Sequence, residues 1–149
     1  MNRLRDEKRR LNMDAYALHV EIRASYADVD SFCHLNNVAI ARYFEEGRAS
    51  LNIGVFGADV VVRPSGGVQL LFARVEIDYL AQGDYPGNVS VGTAVSRIGR
   101  SSFTQSSGLF QKGECLALCE ATTVFAMNGR ATELSPTIKA ALELLQLRN

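Results

Sequence analysis

Between residues 16 and 26, Leu18, Val20, Ile22 and Ala24 alternate with Ala17, His19, Glu21 and Arg23, the period of a half-buried strand. The period then changes. Ile40, Tyr43, Phe44, Gly47 and Leu51 fall at i, i+3, i+4, i+7 and i+11, which is one stripe of an α-helix. Val38, Ala41 and Ala49 soften the opposite face, so a helix enclosed on more than one side is predicted, with Gly54 and Gly57 marking its end. After a Pro64-Ser65-Gly66-Gly67 turn, residues 68–80 alternate Val75, Ile77 and Tyr79 with Arg74, Glu76 and Asp78, a strand with one wet face. Gly83, Asp84, Pro86 and Gly87 break the chain before Val89, Val91, Thr93 and Val95 resume period two. Residues 102–111 and 115–127 supply two more strands around Lys112-Gly113-Glu114, a hairpin loop with glycine at positive φ. Asn128-Gly129 makes the next turn. Ser135-Pro136 announces a last helix through an N-cap and a first-position proline, with Ile138, Ala141, Leu142 and Leu145 on its stripe.

The order is strand, enclosed helix, four long strands, short helix. One face of each strand needs covering and the helix offers a broad apolar surface, so the economical solution is an α+β fold: a five-stranded antiparallel sheet wrapped around the helix. At 149 residues, 47% hydrophobic and 21% charged, the chain suits one domain, residues 15–149. Residues 1–14 carry Arg3, Arg5, Lys8, Arg9 and Arg10 among little apolar material and predict a flexible basic arm.

Charge and cysteines narrow the function classes. Lys plus Arg and Asp plus Glu balance at 16 each, so no net field draws the chain to nucleic acid or an anionic membrane. No apolar run reaches the roughly 20 residues of a membrane span, and the N-terminus lacks the stretch of a secretory signal, which predicts a cytoplasmic protein. Three cysteines are an odd count. Cys115 and Cys119, four apart on a strand, are expected on one face, but with only His19 and His34 in the chain no metal site is expected.

The candidate chemistry lies just before the first helix, in Tyr-Ala-Asp-Val-Asp-Ser-Phe-Cys-His-Leu-Asn-Asn from residue 26. Free backbone N–H groups of a first helical turn can polarise a carbonyl, and a neighbouring aspartate can serve as base or nucleophile. Taken singly, Asp28 and Asp30 also read as turn-stabilising residues and Asn36 or Asn37 as a helix cap. The joint pattern carries more. Asp28, Asp30, His34, Asn36, Asn37, Tyr43, Phe44, Glu45 and Arg48 match a motif that resembles the hotdog-fold thioesterases of the 4-hydroxybenzoyl-CoA thioesterase type. The likeness runs from about residue 18 to 136 and includes residues 95–103. Cys33 stands where that family usually has glycine, and Ile40 where it usually has tyrosine.

The resemblance implies a hotdog fold and hydrolysis of an acyl-CoA thioester to free acid and CoA. Asp30 matches the catalytic aspartate, as general base or as nucleophile. Asn37 matches the backbone amide that polarises the thioester carbonyl. His34 occupies the family's histidine position, either anchoring the loop or lying near the thioester. Glu45 and Arg48, three apart on one helix side, are expected to pair as a brace, with Glu45 or Glu46 a lesser catalytic alternative. Arg100, Ser101, Ser102 and Arg130 are candidates to grip CoA phosphates. No cofactor is expected, since CoA is part of the substrate. The resemblance also implies a homodimer or a dimer-of-dimers tetramer, with no nucleic-acid or membrane partner. Competing readings are a noncatalytic acyl-CoA sensor or partner protein, and a hotdog dehydratase, whose His and acid would face each other across the pocket.

Overall fold

A computed structural model describes residues 3–63 and 66–149; Pro64 and Ser65 of the expected turn lie outside them. The strands are β1 (Leu18–Arg23), β2 (Val68–Tyr79), β3 (Asn88–Ile98), β4 (Ser102–Gln111), β5 (Glu114–Met127) and the two-residue β6 (Arg130–Ala131). The helices are α1 (Asn37–Phe56), α2 (Ala58–Val61) and α3 (Pro136–Glu143). All pairings are antiparallel in the order β1-β3-β4-β5-β2, with β6 beside β5. The sheet curls around α1, the hotdog arrangement the sequence predicts.

The helical stripe is what the sheet covers. Ile40, Tyr43, Phe44 and Leu51 are buried, packed with residues such as Val91, Leu109 and Phe103 of the inner sheet face. Asn36 caps the helix through its side chain, and Gly57 ends it at φ 88°, a left-handed backbone value that suits glycine. Gly47 permits the close approach. A Cβ there would lie 2.5 Å from Thr93 Oγ1 and 2.6 Å from Val91 Cγ1, so Gly47→Ala is expected to destabilise the protein by about 1–3 kcal/mol in denaturant unfolding. The other side of α1 is less enclosed than its alanines suggest. Val38, at the helix mouth and beyond the sheet, is 77% exposed.

Of three register shifts in the sheet, two rearrange the faces that simple alternation predicts. Between Phe72 and Arg74 the β2 register slips, so Leu70 and Phe72 before it share the inner side with Val75, Ile77 and Tyr79 after it. A second slip, opposite Phe110 of β4, separates the two cysteines expected on one face. Cys119 packs under α1 with Ala117 and Leu116, whereas Cys115 packs with Tyr16 and Phe110 on the outer side.

That outer side carries the N-terminal segment expected as a basic arm. Three 3-10 turns, Leu4–Asp6, Lys8–Leu11 and Met13–Ala15, lie there. Arg10 is 8% exposed; it donates to Ser106 Oγ at 2.7 Å and to Glu120 at 2.7 Å, and also pairs with Glu7. Tyr16 donates its hydroxyl to the Arg10 carbonyl at 2.7 Å. A buried guanidinium is tolerated here because two carboxylates and a hydroxyl meet its donors.

Candidate functional site

The loop before α1 is held at both ends by hydrogen bonds that its polar residues supply. Asp28 is 2% exposed and accepts from the Tyr43 hydroxyl at 2.6 Å, the Ser25 amide at 2.8 Å, and Arg42. Burial opposes ionisation of Asp28, but the bonds from Tyr43, Ser25 and Arg42, with the Arg42 charge, outweigh it and hold the carboxyl below its ordinary range. The same burial and the adjacent carboxylate push the Tyr43 phenol up. The backbone closes the loop: the Asn36 amide donates to the Asp28 carbonyl at 2.8 Å, and the Leu35 amide to the Gly83 carbonyl at 3.0 Å.

Asp30 sits inside this frame. Its Oδ1 accepts from the amides of Phe32 at 2.9 Å and His34 at 3.3 Å, and its backbone bonds to His34 and Cys33. That is a turn-stabilising role. Its Oδ2 has no donor among the described residues, and Asp30 lines a hollow of about 320 Å³ with His34, Asn37, Ile40 and Tyr79.

The helix start faces the same hollow. Asn36 Oδ1 takes the Ala39 amide at 2.7 Å and Asn36 O the Ile40 amide at 3.1 Å. The amides of Asn37 and Val38 are left without an acceptor among the described residues, as a capped first turn leaves them. Asp30 and Asn37, the first residue of the helix, thus line one cavity. Such a pair can seat a carbonyl oxygen on the amides while a base stands beside its carbon. His34 is fixed by its backbone, and its ring Nδ1 is buried without a partner among the described residues.

Cys33 adopts φ 65°. The glycine-like conformation is kept with a side chain present, at a steric cost. Cys33→Gly is expected to raise stability by up to about 1 kcal/mol in thermal or urea unfolding, the relief being partly offset by glycine's freer unfolded chain.

Several expected residues lie elsewhere. Ser102 pairs with Val124, Arg130 pairs with Met127, and the Leu134 amide bonds to the Arg100 carbonyl, whereas the Asp30 loop abuts Gly83 and Leu116. Leu116 and Val124 are eight residues apart on β5, about 25 Å of strand. Within one chain, Arg100, Ser101, Ser102 and Arg130 therefore do not converge on Asp30. Arg100 instead lies 3.5 Å from Glu133.

The expected Glu45–Arg48 brace is not formed either. Arg48 turns inward, 7% exposed, with Nη1 3.8 Å from Cys119 Sγ and its guanidinium carbon 4.6 Å from the Phe72 ring centroid. Burial lowers its pKa against the nearby Cys119 and Glu45 charges. Its place four residues after Phe44, on the buried stripe, is the signal that would have found this. Tyr79 and Gln82 were missed as lining residues, and no local pattern links them to a loop some fifty positions earlier.

Solved structures share this architecture. A protein of Pseudomonas aeruginosa strain PAO1 is 27% identical, with a TM-score of 0.79 over 91% of this chain and 95% of its own. A predicted thioesterase from Bacillus stearothermophilus is 25% identical, with a TM-score of 0.80 over 89% and 98%. A thioesterase from Thermus thermophilus, solved with coenzyme A and Zn, is 24% identical, with a TM-score of 0.77 over 89% and 96%. No curated protein matches the chain. Residues 25–142, spanning the acidic loop, α1 and all the long strands that follow, match the thioesterase-like superfamily, and the chain belongs to that superfamily.

Proposed function

We propose that this protein hydrolyses acyl-CoA thioesters, in the manner of the 4-hydroxybenzoyl-CoA thioesterase type. The reading is supported by Asp30, whose Oδ2 has no donor among the described residues, and Asn37 at the start of α1 lining one hollow, in a chain of the thioesterase-like superfamily. The thioester oxygen sits on the Asn37 amide, whose hydrogen bond strengthens as the oxygen becomes an oxyanion. In the general-base route Asp30 takes a proton from water as its oxygen attacks the carbonyl carbon. The C–S bond then breaks with its electron pair leaving on sulfur, and the proton passes to the CoA thiolate. In the nucleophilic route an Asp30 oxygen attacks the carbonyl carbon and the C–S bond breaks with its electron pair leaving on sulfur. Water then opens the resulting anhydride, releasing the free acid and restoring the Asp30 carboxylate, and a proton from that water passes to the CoA thiolate. The His34 ring borders the thioester in either case. The chemistry requires no metal or redox cofactor.

Two copies complete the site in this reading. β2 ends the sheet, and Leu71, Phe72, Val75 and Tyr79 along it are exposed; an apolar edge of this length invites a second strand. Antiparallel pairing of β2 with β2 of another copy sets the Arg100 end of one protomer beside the Asp30 end of the other. Arg100, Ser101, Ser102 and Arg130 would then meet the CoA phosphates across the interface. Val75→Lys, which places a charge on that edge, is expected to shift light-scattering mass towards the monomer and to raise KM for CoA substrates. A monomeric wild type would remove this part of the reading.

The deciding experiment follows free-thiol release from purified protein incubated with a panel of aliphatic and aromatic acyl-CoAs. Release above the uncatalysed rate supports the hydrolase. Saturable binding without release from any of them would make the chain an acyl-CoA sensor instead.

A further inference from the structure

A second hollow, of about 250 Å³, lies along the same α1–β2 seam as the Asp30 cavity and is lined by Arg48, Asn52 and Phe72 among others. Ile40, at the Asp30 end, precedes Arg48 by eight helical residues, about 12 Å along the axis. Among apolar residues such as Val60, Leu70 and Phe72, the lining at this end of the seam carries the polar Glu45, Arg48 and Asn52. Arg48 Nε, Gln105 Oε1 and Thr123 Oγ1 are buried there without partners among the described residues. They are neighbours: Phe72 covers the Arg48 guanidinium and pairs with Thr123 in the β2–β5 register, and Gln105 Nε2 donates to Asn52 Oδ1 at 3.1 Å and to the Arg48 carbonyl at 3.5 Å. Gln105 occupies the Asn52 oxygen, so the Asn52 amide nitrogen remains a further donor.

A buried guanidinium without a carboxylate costs more than any single unmet hydrogen bond. Among the described residues no carboxylate lies within ion-pair distance of Arg48; Glu45, the acid on its own helix that faces the same hollow, is exposed. Two donors, Arg48 and Asn52, thus line a cavity at the distance a medium-length acyl chain reaches from the thioester, and the buried Thr123 hydroxyl lies behind that lining, opposite Phe72.

Resting on the hydrolase reading above for the placement of the thioester, we propose that this end of the seam binds a carboxylate carried by the acyl group, so that the preferred substrates are CoA monothioesters of dicarboxylic acids. A neutral chain of equal length strands the buried donors, and sites built to hydrogen-bond a substrate group discriminate strongly against the analogue lacking it.

The test compares suberoyl-CoA with octanoyl-CoA, alongside binding of the thioethers S-carboxyheptyl-CoA and S-octyl-CoA by calorimetry. Wild-type protein is expected to show at least a tenfold higher kcat/KM for suberoyl-CoA and a correspondingly tighter carboxylated thioether. In Arg48→Met, with folding checked by circular dichroism and melting, both ratios collapse towards unity. Arg48→Lys, which keeps the charge, retains a preference for the diacid. Equal kcat/KM and equal binding, or binding of neither thioether, overturns the carboxylate site. Tighter binding of the carboxylated thioether with no hydrolysis of any thioester upholds the site and removes the hydrolase reading alone.

Discussion

Asp30→Asn keeps the fold and lowers thioester turnover by about 10²-fold or more, the scale of a lost general base. The substitution separates the two things Asp30 does. An amide oxygen at Oδ1 can still accept the Phe32 and His34 amides, so the loop keeps its turn. The nitrogen that replaces Oδ2 can neither take a proton from water nor attack a carbonyl carbon. Melting temperature should therefore stay near wild type while kcat falls, with KM changing little. Asp30→Ala is the weaker experiment because it removes the turn bonds as well. Near wild-type hydrolysis by Asp30→Asn would end the assignment of that residue and move attention to Glu45, the other acid on the α1–β2 seam.

Asp28→Ala should cost about 3 kcal/mol or more of folding stability, because it leaves the Tyr43 hydroxyl and the Ser25 amide without an acceptor and Arg42 without its partner. Tyr43→Phe removes one bond to a charged group and should cost about 2 kcal/mol. Both variants loosen the loop that carries Asp30, so turnover falls together with stability, unlike in Asp30→Asn. The pH dependence has a definite sign. The Asp28 carboxyl is held below its ordinary range in the folded protein, so the folded state binds its proton less readily than the unfolded chain. Its contribution is complete above the unfolded-state pKa and is lost as pH falls through the folded-state value. Urea unfolding from neutral to acid pH should show wild type losing stability across that window. Asp28→Asn, less stable at neutral pH, should change less, so the gap between the two narrows on acidification. A gap that is constant with pH would mean that the Asp28 charge does not stabilise the loop.

Much of the architecture could be read from periodicity. The stripe from Ile40 to Leu51 is the buried face of α1, and the β4 limits and the Ser135 cap of α3 coincide with the turn and cap residues. These features are local: a 3.6-residue or two-residue repeat needs only a neighbouring sheet or helix to bury it. The bulges in β2 and β5 were not legible, because an extra residue in a strand is defined by its partner's register. Hence the paired inner faces of Phe72 and Val75, and the separation of Cys115 from Cys119, came only with the sheet.

The candidate site divides along the same line. Asp30, His34, Asn36 and Asn37 are consecutive enough that one loop and one helix cap set their arrangement, and the chain's own motif named them. Arg48, by contrast, reads in sequence as the surface partner of Glu45, and only its inward turn beneath Phe72 makes it a buried cation. Arg100 and Arg130 read as phosphate ligands, yet the β3–β4 connection and β6 place them at the far end of the sheet. Sequence alone determined the elements, the helix face and the acidic loop, since each rests on residues within a few turns of one another. Only the tertiary structure decided which distant side chains share a cavity, because that depends on strand register and on where burial leaves a polar group without a partner.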